Sequence, residues 1–319
     1  MSRRSNVVAI EGATTSARTS ITLSEVWALY CESMQRRQLS EYTVKHETEN
    51  VRAVSKLINL DRPANSYGTS ELEQVFDVMR EAQLSPVTIN HRVKTVKRLF
   101  SFAVIHGYLR TNPAEQVELM REPKTPIPSF SGEQLNTLFA KVNLNTFTGL
   151  RDLTMYLLVL DCGVRLRETL ELTIQQVNLK ERLLVGVRGK NQDICDVPLT
   201  DEMVEQLALY LQVRGALSTD ALFVTLFGTP IARRTVQERL HDYGMSAKIE
   251  NVRVSPHTLR HTFAKQWILN GGDVFSLQDM MRHHSMEMVR RYVHMWGTEL
   301  QNQHDKFSPL KHLKFPKKR

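Results

Sequence analysis

Proline sets the first constraint on this chain. The segment Arg121-Glu122-Pro123-Lys124-Thr125-Pro126-Ile127-Pro128 places three prolines within six residues. Each proline lacks an N–H and fixes φ at about −65°, so neither a helix nor a central strand can run through the segment. A stiff, extended connector is therefore expected over residues 119–130, dividing the 319 residues into two bodies. No apolar run in either body approaches the ~18 residues needed to cross a bilayer. Residues 1–20 are rich in Ser, Thr and Ala with three arginines, and read as a flexible arm. They lack the apolar stretch of a secretory signal, so a cytoplasmic protein is expected.

Ahead of the connector the patterning is helical. Thr22-x-x-Glu25 forms a capping box. A second helix is expected over about residues 40–58, with Val44, Val51, Val54 and Ile58 inward, and a third over about 70–82. The fourth is the best defined: Ser85-Pro86 supplies an N-cap and a first-turn proline. Ile89, Val93, Val96, Phe100 and Ala103 then line one face, and Gly107 ends the helix. Its other side carries His91, Lys94, Lys97 and Arg98. Taken alone, that stripe fits a solvated surface as well as a DNA face. This all-helical domain spans residues 21–118.

Behind the connector, Ser131-x-x-Gln134 is a second capping box. Residues 150–161 are apolar nearly all round (Leu153, Tyr156, Leu157, Leu158, Leu160), as a buried helix requires, and Gly163 lies at the end. Two β-rich runs, 183–187 and 194–199, flank Gly189-Lys190-Asn191 and suggest a hairpin. Helical patterning resumes at about 201–211, 233–248, 257–270, 274–281 and 286–294. The fold class is therefore mainly α: a helical first domain, then a mixed α+β domain of helices with a small antiparallel β-sheet over 131–305. A basic tail follows at 306–319.

Three polar clusters in the second domain carry chemistry. Cys162-Gly163-Val164-Arg165-Leu166-Arg167-Glu168 sets an arginine on a tight turn after a buried helix, with Glu168 as salt-bridge partner. Ser255-Pro256-His257-Thr258-Leu259-Arg260-His261 starts a helix, so His257 and Arg260 share a face near its electropositive end. A guanidinium there suits a phosphate and repels a metal ion. Met281-Arg282-His283-His284 precedes a helix bearing Tyr292. Each cluster also has a purely structural reading. Together they describe a phosphodiester site: arginines to neutralise phosphate oxygens, histidine to move protons, and a phenol of pKa ~10 as nucleophile and later leaving group. A net charge of +8 fits an anionic partner. The three cysteines are scattered, and no acidic cluster such as D-x-D, no P-loop and no glycine-rich dinucleotide motif is present. No cofactor and no metal are expected.

At this point the chain resembles the tyrosine recombinases, the phage-integrase family, over about residues 20–300. The order Arg…Lys…His-x-x-Arg…His…Tyr is that family's. Its first arginine box is similar to Cys162 through Thr169, its second to His257-Thr258-Leu259-Arg260, and its Leu-Gly-His box to Met281-Arg282-His283, with Tyr292 nine residues on. Its hairpin lysine matches Lys190. The departures are Cys162 for Thr, Met281-Arg282 for Leu-Gly, and Asn191 where glycine is common. His284 beside His283 leaves open which imidazole faces the phosphate.

The resemblance implies roles. Tyr292 attacks the scissile phosphate and forms a 3′-phosphotyrosyl bond. Arg165 and Arg260 hold the non-bridging oxygens. Lys190 protonates the leaving 5′-oxygen. His257 takes the tyrosine proton or bonds the phosphate, His283 adds a hydrogen bond, and Glu168 orients Arg165 or its neighbours. It further implies double-stranded DNA with specific core sites as partner, contacted by His91, Lys94, Lys97 and Arg98, and a homo-tetramer on two DNA sites. Accessory or directionality proteins remain open. A topoisomerase of the type one-B kind and a sequence-specific DNA-binding regulator without cleavage stand as alternatives.

Overall fold

The first helix among the described residues is set by its local sequence. In the computed structural model, α1 (Leu23–Arg36) starts at Thr22, whose hydroxyl accepts from the Glu25 N–H at 3.2 Å while the Thr22 N–H donates back to the Glu25 carboxylate at 2.8 Å. The structure describes residues 21–122, 127–189, 193–282, 285–293, 301, 304–306 and 308. The expected arm, the middle of the connector and most of the basic tail lie outside them. Two compact units divide after residue 124.

The first unit holds α1, α2 (Glu41–Val54), α3 (Thr69–Glu81) and α4 (Pro86–Ile105). Ser85 caps α4 and Pro86 occupies its first turn. All five residues of the expected apolar face of α4 are buried, packed with Leu23, Val26, Leu72 and Phe76. Asn112 closes the unit after α4: its amide donates to the Lys97 carbonyl at 3.1 Å and to Ser101 Oγ at 2.9 Å. Val51, Val54 and Ile58 are buried as expected, and Val44 is partly so.

The second unit contains α5 (Gly132–Phe139), α6 (Phe147–Cys162), α7 (Leu166–Leu170), α8 (Asp201–Arg214), α9 (Arg233–Ser246), α10 (Pro256–Leu269), α11 (Val274–Met281) and α12 (Met286–Val293). A three-stranded antiparallel sheet, β1 (Val177–Asn178), β2 (Leu183–Arg188) and β3 (Ile194–Pro198), has the order β1-β2-β3. The Gly189 N–H donates to the Asp193 carbonyl at 2.8 Å at the far end of the β2–β3 hairpin. β1 and α7 have no counterpart in the sequence reading. Two and five residues are too short to register as a period.

Helix α6 is the spine of this unit, and it buries polar side chains as well as apolar ones. Arg151, Asp152 and Thr154 are buried on it beside Met155, Tyr156, Leu158 and Val159. The charges survive because they are matched. Arg151 bonds Asp152 at 2.6 Å and the Val224 carbonyl at 3.0 Å. Asp152 also takes the Arg239 guanidinium and the Tyr243 hydroxyl of α9. Helix α6 ends at Gly163, which is left-handed at φ 62°. A Cβ there would lie 2.4 Å from the Phe263 ring of α10, so glycine is required by conformation and by space. Helices α10, α11 and α12 close over their own small core of Phe263, Ile268, Leu277, Met281 and Val289.

Gly163→Ala combines left-handed strain with overpacking against Phe263. It is expected to lower the stability of the second unit by about 3 kcal/mol. Urea denaturation followed through Trp267, on the same helix as Phe263, measures it. An unchanged midpoint would mean that Phe263 moves aside without cost.

Candidate active site

Two arginines from different elements converge on one peptide turn. Arg260, on the first turns of α10, is 4% exposed. One of its Nη atoms donates to the Gly163 carbonyl, and the other to the Met281 carbonyl at 2.6 Å. Arg165 stands just beyond Gly163. Its Nη2 donates to the next carbonyl, that of Arg282, at 3.3 Å. The end of α6 and the end of α11 are thereby fixed against each other. Burial first, and then the neighbouring Arg165, push the Arg260 guanidinium down to about 9, which leaves it charged at neutral pH.

Glu168 completes the brace. Its Oε1 accepts from Arg165 Nη1 at 2.7 Å, and its Oε2 from the Arg165 N–H at 2.8 Å and from Arg282 Nη2. The Glu168 side chain is 4% exposed and that of Arg282 is 7% exposed. Burial alone would raise the carboxyl. Arg282 and the Arg165 N–H and guanidinium outweigh it and hold it below the ordinary range. Arg282 itself is left-handed at φ 50° as the C-cap of α11.

The tyrosine lies across this corner. The Tyr292 hydroxyl, on α12, is 2.8 Å from His261 Nδ1. His261 is one turn beyond His257 on α10, with their ring centres 6.5 Å apart. Burial raises the phenol, while Arg260, Arg291 and Arg165 oppose that. Burial, then His257 and Arg260, push His261 down to about 4. His257 is exposed, yet its pKa is also lowered, first by lost hydration and then by Arg233, Arg260 and Arg165. Two neutral imidazoles therefore sit in a field of guanidinium charge.

Of the expected site residues, Arg165, Glu168, His257, Arg260 and Tyr292 gather here. Lys190 and His283, with His284, lie outside the described residues. Sequence reasoning missed His261 and Arg282. The signal for His261 was its place four residues after His257 on one helix. Arg282 was visible only as a replacement of glycine. The stripe on α4 lies in the other unit. Lys94 is exposed and His91 packs edge-on to His46 at 5.0 Å. Lys97 bonds the Glu115 carbonyl at 2.7 Å, and Arg98 pairs with buried Glu47.

A pair of anchored guanidiniums beside a phenol and neutral imidazoles is the equipment of an enzyme that handles a phosphodiester through a tyrosine. The phage integrase family model matches residues 129–297. The chain is 30% identical to tyrosine recombinase XerD of Staphylococcus haemolyticus over 230 residues, 70% of this chain and 77% of that one. It is 29% identical to XerD of Staphylococcus epidermidis over 222 residues, 68% of this chain and 75% of that one. Its fold is similar to the Tn1549 transposon integrase solved with transposon right-end DNA (TM-score 0.74, 17% identity, 90% of this chain and 100% of that one). It is also similar to a lambda integrase dimer bound to a core site (TM-score 0.71, 16% identity, 87% and 98%). The chain belongs to the phage integrase family. Its activity is that of a tyrosine site-specific recombinase, which breaks and rejoins DNA strands.

Two expected outcomes test the electrostatics. Carbon-13 NMR of the histidine rings should show His261 titrating near 4. A midpoint near the ordinary ~6.5 would mean that the ring is hydrated. Glu168→Gln strands the buried Arg282 charge, and is expected to cost the second unit about 3 kcal/mol at neutral pH. The folded carboxyl titrates below its unfolded value, so this stabilisation is present above the unfolded pKa and is lost as pH falls through the folded one. The gap between wild type and variant should therefore close in acid, and a gap constant from pH 7 to 3 would assign the loss to packing instead.

Proposed function

We propose that Tyr292 is the nucleophile of the recombinase, that Arg165 and Arg260 bind the scissile phosphate, and that His261 receives the tyrosine proton. The observation that carries this reading is the 2.8 Å contact between the Tyr292 hydroxyl and His261 Nδ1 beside the two arginines. With its own proton on Nε2, a neutral His261 accepts the phenolic proton at Nδ1. The Tyr292 Oη–P bond forms, the P–O5′ bond breaks, and the 5′-oxygen takes a proton from Lys190, the position that matches the family's hairpin lysine. His257, exposed at the mouth of the same helix, is left to bond a phosphate oxygen, joined by His283. A positioned base of this kind contributes about 10²–10⁴ in rate. Each arginine that meets the transition-state charge contributes on the same order.

Double-stranded DNA is the substrate, and the first unit supplies part of its binding face. Within the stripe on α4, His91 and Lys94 face solvent, whereas Lys97 and Arg98 already serve the fold. Lys94→Ala is expected to weaken DNA binding without changing sequence preference and to reduce the salt slope by about 1. Arg98→Ala strands the carboxylate of Glu47 and is expected to act through stability instead. Four protomers on two DNA sites, in the cytoplasm, complete the reading.

The deciding experiment recovers DNA that stays bound to the protein after SDS denaturation in its host, with wild type and Tyr292→Phe side by side. Adducts at discrete loci from wild type, and none from the variant, are expected. Equal trapping by both would remove Tyr292 as nucleophile. Reversible binding with no adduct from either would favour a regulator that does not cleave. Adducts spread without site preference would favour a topoisomerase.

A further inference from the structure

Glu168 has two guanidiniums, and they are not equivalent. Arg165 is 23% exposed and lies at the rim of the site. Arg282 is 7% exposed and lies beneath it. Each takes a different carboxylate oxygen. Arg282 also reaches Cys195 Sγ on β3 at 3.7 Å, and its stem passes 3.8 Å from where a Cβ on Gly189 would stand. It therefore spans Glu168, the hairpin strand and the turn that both Arg165 and Arg260 hold by its carbonyls. To do so it keeps a left-handed backbone that costs a side-chain-bearing residue about 1–2 kcal/mol. Strain retained in this way points to a role at the site.

A phosphate arriving at the site must compete with Glu168 for Arg165. If Arg165 were the sole cation on that carboxylate, turning to the phosphate would strand a buried negative charge. We propose that Arg282 is a positioning residue that holds the charge of Glu168, so that Arg165 is released to the scissile phosphate. Buried Arg282 stays on Glu168 throughout, and rim-exposed Arg165 exchanges carboxylate for phosphate. With Arg260, three guanidiniums then face one carboxylate, leaving two positive charges for a phosphorane that gains negative charge as it forms. This inference rests on the reading of Arg165 and Tyr292 given above.

The test measures covalent adduct formation under single turnover, using full-length protein. The probe is a nicked duplex selected from random sequence for binding by Tyr292→Phe protein. Arg282→Met keeps the stem and removes the charge. It is expected to slow adduct formation by about 10–100-fold, while DNA affinity stays within about threefold, because Arg165 is now retained by Glu168. Arg282→Lys should restore much of the rate. The double variant Arg282→Met, Glu168→Gln should run faster than Arg282→Met alone, because the competing carboxylate is gone. A merely structural role does not produce that recovery. A wild-type rate for folded Arg282→Met, or a double variant slower than Arg282→Met, overturns the proposal. If Arg282→Met does not fold, Arg282→Gly, which suits the left-handed backbone, stands in under the same criteria. Wild-type protein that forms no adduct, or Tyr292→Phe that forms one, overturns instead the reading beneath.

Discussion

Glu168 is 4% exposed, and an ionised carboxylate at that depth persists only while cations remain beside it. The rest of the site follows from that requirement. Arg165 and Arg282 come from segments 117 residues apart in sequence and meet through Glu168 and through the Arg282 carbonyl. Arg260 binds the neighbouring carbonyl. The turn at Met281–Arg282 is therefore fixed from two sides before any DNA arrives. Helix α12, which carries Tyr292, packs with α10 and α11 over a shared core that includes Met281 of that turn.

Pre-organisation of this kind bears on rate. A guanidinium has five N–H donors in a fixed fork. Arg260 spends donors on two backbone carbonyls, which sets its plane and keeps it from following solvent. Arg165 is bonded through both Nη atoms as well, one of them to a carboxylate, but it lies nearer the surface. On the role proposed for Arg282, one arginine is a fixed wall of the site and the other a movable jaw. Phosphoryl transfer gains most from groups that need no reorganisation when charge develops. An exchangeable second arginine is useful only if its resting partner can bear to lose it.

How legible this was in sequence depends on range. Caps are local, so Thr22, Ser85 and Ser131 announced their helices directly. The α4 face and the β2–β3 hairpin are periodic, and both were readable. The arginine pair and Tyr292 were readable because side chains of the right chemistry stood in a family order, not because any spacing placed them together. What was illegible is pairing across the fold. The partners of Asp152, Arg239 and Tyr243, lie nearly ninety residues on, where no local pattern could point to them. Nothing local in Arg282 says that it will find Glu168, 114 residues earlier. Burial of a charge is decided by its partner, and a sequence read from one end does not contain that distance.

The field of the arginines also divides labour among the other groups. Lost hydration is the main force that lowers His257 and His261, and the charge of Arg260, which would attract a phosphate, acts on both in the same direction. Neutral imidazole accepts a proton; imidazolium does not. The same guanidiniums oppose the rise that burial imposes on the Tyr292 phenol, favouring its ionised form. On the function proposed, the arginines carry the cationic charge and proton transfer falls to the imidazole held neutral beside them. Pushing pKa values apart within one corner is how a single fold can bind an anion and move a proton at the same pH. Here that separation follows first from burial, which lowers the imidazoles and raises the phenol, and then from Arg260, whose charge reaches all three.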